Sequence, residues 1–278
     1  MKEIFDKISA DCSRITTQRY STSFTWGIYL LSKDLRPHIY AIYGFVRFAD
    51  EIVDTFHEYD KKYLLDKFKK DCFEAIAFGI SLNPVLNSFQ KVVNDFGIDH
   101  ELIELFLNSM EMDLQPEMYS KEKYEKYILG SAEVVGLMCL YVFVNGNKEQ
   151  YESLKPFAMK LGSTFQKVNF LRDVKADFQQ LNRNYFPNVN LENFSDYQKF
   201  EIEKEIEEEF RVALIGIKQL PISSRKGVYL AYIYYKKLFD KIKNVNAKQI
   251  MNKRIRISNG RKIGLMLDSI FRYKMNFL

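Results

Sequence analysis

The chain has 278 residues, of which 47% are hydrophobic and 15% aromatic, with 23 Phe and 18 Tyr against one Trp. That composition supports a substantial core and excludes a disordered or low-complexity protein. The formal net charge is +5, and twelve Gly and six Pro are few, which suits long helices better than a turn-rich sandwich or barrel. Cys12, Cys72 and Cys139 show no CxxC spacing, and His38, His57 and His100 show no ligand spacing, so a disulfide framework and a zinc site are not expected.

In chain order, the apolar periodicity predicts helices at about 2–18, 23–31, 34–54, 60–79, 83–96, 99–114, 121–145, 148–179, 196–218, 222–244 and 258–274. Pro84, Pro116, Pro156, Pro187 and Pro221 punctuate them, Pro156 being expected near a helix start. No Gly-, Ser- or Pro-rich linker and no repeat divides the chain, so one all-α domain over residues 1–278 is expected. Ser21, Thr22 and Ser23 precede the second helix, where hydroxyls cap an N-terminus and free amides attract phosphate.

The third helix carries the first chemical signal. Tyr43, Arg47, Asp50 and Asp54 recur at spacings of four, three and four, forming a narrow polar seam in a segment otherwise rich in Ile, Ala, Phe and Val. A bland reading is an exposed seam with an ion pair from Arg47 to Asp50 or Glu51. The extent of apolar surface favours burial, and buried paired carboxylates need cations. The helix at about 148–179 repeats the pattern with Gln166, Asn169, Asp173 and Asp177, and Arg172 stands beside the stripe as a bidentate donor for phosphate. Two facing stripes of this kind would hold Mg²⁺ and, with it, a phosphate-bearing ligand. Arg183 lies just beyond, either solvated or, beside Mg-bound diphosphate, a clamp, whereas Tyr124, Tyr127, Tyr232, Tyr234 and Tyr235 are of a kind usually found in a core or interface, although a phenol can reach an oxyanion from an apolar wall.

Charge is uneven toward the end. Glu201, Glu203, Glu205, Glu207, Glu208 and Glu209 form an acidic block, expected on the outer face of a helix. From Lys236 onward basic residues dominate, which suits peripheral contact with an anionic membrane. The longest apolar run, Val134 to Val144, is short of a membrane span, and Met1 to Asp6 carry no secretory signal. A cytoplasmic location is therefore expected, with any membrane contact peripheral at its inner face. Nucleic acid is not an expected partner, because that reading leaves both acidic stripes unexplained.

Taken together, these motifs resemble the squalene and phytoene synthases, most of all the bacterial phytoene synthases of carotenoid pathways. The resemblance rests on Tyr20 to Phe24, Ala41 to Arg47 with Asp50 and Asp54, Tyr127 with Ala132 to Gly136, Val168 to Val174 through Asp177, and Arg183 to Pro187. It implies the all-α isoprenoid synthase (class I terpenoid synthase) fold with a central cavity. It further implies that Asp50, Asp54, Asn169, Asp173 and Asp177 bind Mg²⁺, with Mn²⁺ as a substitute. Tyr20, Ser21, Thr22, Ser23, Tyr43, Arg47, Tyr127, Gln166, Arg172, Arg183 and Tyr235 would then meet substrate or diphosphate. The implied reaction joins two geranylgeranyl diphosphates head to head, through a cyclopropyl diphosphate, to phytoene without NADPH. The alternatives are a squalene or dehydrosqualene synthase using farnesyl diphosphate and, further off, a non-catalytic relative resembling a respiratory-complex assembly factor. Glu133 and Lys175 depart from the family pattern, which usually has a small residue and a Gly at those positions.

Overall fold

The computed structural model describes residues 1–115, 119–187 apart from 180–183, 189, 191–252, 254–258, 260 and 264–266, with the backbone alone at 176–179 and 192. The described residues form helices and no strand: α1 Lys2–Tyr20, α2 Thr22–Tyr29, α3 Arg36–Asp54, α4 Lys61–Phe78, α5 Pro84–Phe96, α6 His100–Met112, α7 Lys121–Ile128, α8 Val134–Phe143, α9 Lys148–Gln179, α10 Asp196–Gln219, α11 Ile222–Lys243 and α12 Ala247–Asn252. A π turn, Leu129–Glu133, joins α7 to α8, and a 3-10 turn, Leu191–Asn193, precedes α10.

Local chemistry starts and stops these helices where the sequence provides for it. Asp60, Asn83, Asp99 and Ser120 each accept a backbone N–H in the first turn that follows, and Ser195 forms a capping box with Gln198. Gly79 and Gly97 end α4 and α5 in the left-handed conformation. The helix expected at 148–179 is α9, which runs through Pro156 near its start. Proline removes one donor from the backbone ladder, and the packing of α9 against its neighbours outweighs that loss. The expected helix over 258–274 lies largely outside the described residues, and α12 was not anticipated.

Two apolar clusters build the core. The first joins α2 to α6 and α8, centred on Phe45, whose ring stacks on Phe89 at 3.9 Å and on Phe68 at 5.6 Å. The second joins α7, α9, α10, α11 and α12 and is rich in tyrosine. The helices touch most closely at glycines. A Cβ on Gly227 of α11 would stand 2.5 Å from the Gly27 carbonyl of α2, and one on Gly162 of α9 would meet Ala132 O of the π turn at 2.5 Å.

The continuous run Lys121–Phe143 is 23 residues long, apolar enough to cross a membrane by length and composition, and half buried inside the fold. Its Val134, Leu137, Met138, Leu140 and Val142 are core residues. The acidic block also differs from expectation. Glu203 and Glu209 point inward, paired with Lys199 and Lys167 respectively, because they share the inner face of α10 with Ile206, Phe210 and Ala213. Glu207 pairs with Lys236 and Lys243, so part of the basic stretch is matched by this acidic helix.

Candidate active site

A cavity of about 880 Å³ lies among α2, α3, the α7–α8 run, α9, α10 and α11. Tyr43, Arg47, Asp50 and Asp54 of α3 all line it, while Phe45, Ala49, Ile52 and Val53 bury the other faces of that helix. Arg47 pairs with Glu51, and its guanidinium stacks over the Tyr20 ring at 4.3 Å. The ion pair of the bland reading and the cavity-facing seam therefore coexist. Asp50 stands 4.0 Å from Arg47. A third of its side chain is open to the cavity, yet it is enclosed by protein. Removal from bulk water and then the neighbouring Asp54 push its carboxyl up to about 7, against the pull of Arg47. Burial likewise pushes the Tyr43 phenol up to about 12.

From α9 the cavity receives Gln166, Asn169, Arg172 and Asp173. Asp173 is surrounded by cations: Arg172 Nε donates to it at 3.1 Å, and Arg254 Nε, from the segment after α12, approaches at 2.6 Å. The Tyr235 ring stacks on Phe165 at 3.9 Å. Burial raises its phenol, and contact with Arg172 and a hydrogen bond from Asn169 oppose the rise. Tyr234 also lines the cavity, but Tyr235 is the one that meets Asn169 and Arg172. The side chain of Asp177, and all of Arg183, lie outside the described residues.

Tyr20, Ser21, Thr22, Ser23 and Tyr127 complete the lining among the expected positions. Ser21 also caps α2, its Oγ accepting from Phe24 N at 3.2 Å. Leu154 and Asp173, both of α9, line the cavity at widely separated levels. Nineteen residues at the helical rise place the two about 28 Å apart. Leu31, Leu140, Phe143, Phe157 and Leu220 supply more of the apolar lining. The arrangement thus combines clustered charge with a long apolar recess.

The donor set fits a hard divalent cation. Asp50, Asp54 and Asp173 offer carboxylate oxygens, and Asn169 Oδ1 is buried with no hydrogen-bond partner among the described residues. An orphaned buried acceptor is costly unless a ligand satisfies it. No cluster of three His, Cys, Asp or Glu residues is preassembled among the described residues. Mg²⁺ does not need one, since it keeps several waters and takes one or two carboxylates beside substrate phosphates.

The sequence reading missed Asp113, Tyr185 and Arg254, all of which line the cavity. Arg254 is carried by a segment tied down on both sides: Lys175 Nζ donates to Asn252 O at 3.1 Å and Lys241 Nζ to Arg256 O at 2.7 Å. Lys175 thus has a definite partner where the family pattern has Gly. Glu133, the other departure, is absent from the cavity lining. Burial raises its carboxyl, which lies near Lys160, Glu209 and Lys167 behind α9.

Comparison with known proteins agrees with this geometry. The sequence model of squalene/phytoene synthase matches residues 17–261. The chain belongs to the squalene/phytoene synthase family. It is 26% identical to the chloroplastic phytoene synthase 1 of Zea mays over 95% of this chain and 67% of that protein, spanning about two thirds of the plant enzyme. It is 27% identical to the phytoene synthase of Arthrospira platensis over 91% of this chain and 89% of that one. A crystal structure of a dehydrosqualene synthase in complex with ligand superposes with a TM-score of 0.81, at 20% identity, over 97% of this chain and 98% of that one. The fold is the all-α class I terpenoid synthase fold, and the family is one of prenyltransferase-type enzymes that bind prenyl diphosphates.

Proposed function

We propose that this protein joins two geranylgeranyl diphosphates head to head to give phytoene, with Mg²⁺ as cofactor and no requirement for NADPH. The observation that carries the reading is the pairing of two acidic helix faces, α3 and α9, at one end of a long apolar cavity. Its volume lies toward the upper end of the ~300–1,000 Å³ usual for small-molecule sites, as two prenyl tails require. Relatives named phytoene synthase support the choice of substrate.

Asp50, Asp54, Asn169 and Asp173, with Asp177, would hold Mg²⁺, which when bound neutralises the diphosphate as it leaves. Arg47, Arg172 and Arg254, with Arg183, supply charge-assisted hydrogen bonds to the same oxygens. Ionisation leaves an allylic carbocation, which the double bond of the second substrate attacks; loss of a proton from the resulting cation closes a cyclopropane that keeps the second diphosphate. A second ionisation expels that diphosphate, and rearrangement followed by loss of a second proton, for which released diphosphate is an available acceptor, gives the joined hydrocarbon. The apolar walls keep water from the cation, and the rings of Phe24, Phe165 and Tyr235 form an aromatic cluster in the lining. The basic stretch from Lys236 onward suits peripheral contact with an anionic membrane, where an apolar product could be released.

The test is incubation of the purified protein with Mg²⁺ and either geranylgeranyl or farnesyl diphosphate, with and without NADPH. A C40 hydrocarbon formed without NADPH is the expected product. A C30 hydrocarbon alone would replace the substrate assignment with the farnesyl alternative, and no hydrocarbon under any condition would overturn the reading.

A further inference from the structure

Asp113 closes α6 outside every sequence motif, yet it is 7% exposed and faces the cavity. Its two oxygens are engaged separately. Tyr127 Oη donates to Oδ2 at 2.7 Å, and Tyr185 Oη donates to Oδ1 at 2.9 Å. Both tyrosines are buried, and both line the same cavity. Their rings lie 5.0 Å apart, and Tyr185 stacks on Phe170 at 4.2 Å, so neither phenol can swing away freely.

A phenol has one proton and two lone pairs. Because Asp113 accepts from both phenols, and Tyr127 also hydrogen-bonds to Tyr185, neither O–H is available to point into the cavity. Each oxygen then offers only lone pairs to whatever occupies that space. For a carbocation the distinction is one of sign: an inward O–H dipole repels positive charge, and an inward lone pair attracts it. In a low-dielectric site such fixed dipoles act strongly and need no reorganisation. Burial and then the charge of Asp113, with hydrogen bonds to Asp113 and Tyr185, raise the Tyr127 phenol well above its ordinary value, so it remains protonated.

We infer that Asp113 is a positioning residue that locks Tyr127 and Tyr185 as a paired acceptor wall for the carbocation. This rests on the prenyl-transfer reading. A second role for Asp113, as a further metal carboxylate near Asp50, fits less well because each of its oxygens already accepts a phenolic proton.

The experiment is a double-mutant cycle on the full-length protein, with Mg²⁺ and the prenyl diphosphate that the wild type converts. Asp113→Asn keeps the shape but puts an N–H opposite one phenol, which must turn its own proton elsewhere. The expected result is a fall in kcat of about 100-fold, with KM for the diphosphate changed less than about threefold. In a Tyr127→Phe/Tyr185→Phe background, adding Asp113→Asn should cost less than about twofold more, because a residue that acts through the phenols has nothing left to position. A full second loss in that background would overturn the proposal in favour of a role in folding or at the metal. A tenfold rise in the Mg²⁺ concentration needed by Asp113→Asn alone would do the same. If Asp113→Asn does not fold, Tyr127→Phe and Tyr185→Phe carry the test singly, each expected to lower kcat with KM retained; near-normal kcat in both defeats it. A wild type that makes no hydrocarbon takes down the family reaction first, and this inference with it.

Discussion

Behind Asp50 and Asp54, the inner faces of α3 are apolar throughout, closed by the Phe45, Phe68 and Phe89 stack. Behind Asn169 and Asp173, the outer face of α9 carries Lys160, Ser163 and Lys167, closed by Glu209 of α10 at 3.1, 3.1 and 2.9 Å. The fronts of the two helices differ in the opposite sense. Asp50 meets Asp54 and Asp113 with Arg47 pulling the other way, whereas Asp173 is held by Arg172 and Arg254. One acidic face is thus poised to gain a cation, and the other already has cations that a diphosphate could draw upon. Similar motifs in sequence can therefore contribute differently to one site.

The largest expected effect removes either motif. Asp50→Asn or Asp173→Asn should lower turnover at least about a thousandfold, with helix content by circular dichroism unchanged; near-normal turnover in both would sink the metal assignment. Next comes the backing of α9. Lys167→Met should destabilise the fold by about 2–3 kcal/mol in denaturant titration, because it strips a buried partner from Glu209 while Lys160 and Ser163 remain. Adding Glu209→Leu should recover much of that loss. If the single variant is as stable as wild type, the network behind α9 is not a support.

A smaller effect should separate the two fronts. Arg254→Gln should raise KM for the diphosphate about tenfold, by loss of a charge-assisted hydrogen bond, with kcat less affected. An unchanged KM would mean that Arg254 merely covers Asp173.

The smallest effect runs in the stabilising direction. A carboxyl whose pKa is raised from 3.8 to about 7 on folding helps the native state at low pH and loses that help as pH climbs through this window. In metal-free protein at pH 8, Asp50→Asn should therefore raise stability. After discounting for the solvent in the cavity, the gain is on the order of 1–2 kcal/mol. Thermal melts should show this gain shrinking toward nil as pH falls to about 4. A gain that does not depend on pH would contradict the cause assigned to the shift.

Much of this was legible beforehand because the signal was local. The α3 and α9 stripes repeat within one helix, so spacing alone places Asp50 beside Asp54 and Asn169 beside Asp173. Asp113 has no such repeat: its partners Tyr127 and Tyr185 arrive from 14 and 72 residues away. Arg254 reaches Asp173 across 81 residues, on a segment with no helical pattern to announce it. Glu203 and Glu209 were misplaced because a run of acidic residues suggests solvent, and their compensating lysines came partly from another helix. Pro156 did not mislead: the periodicity already carried a helix over 148–179, and α9 runs through the proline near its start. For Asp177 and Arg183 the sequence expectation stands without a described side chain beside it.

The π turn at Leu129–Glu133 has a consequence for insertions and deletions. It holds one residue more than an α-helical turn, and each residue of α-helix rotates the chain by about 100°. Deleting a single residue there would leave an uninterrupted helix and an apolar sequence that still folds. That shorter helix would keep α7 and α8 in nearly the same phase, because the extra residue is absorbed within one widened turn, so Tyr127 would stay opposite Asp113 while Val135 and Gly136 kept their places. Inserting a further residue, by contrast, would turn α7 by about 100° relative to α8 and carry Tyr127 away from Asp113, so this turn should tolerate a deletion better than an insertion.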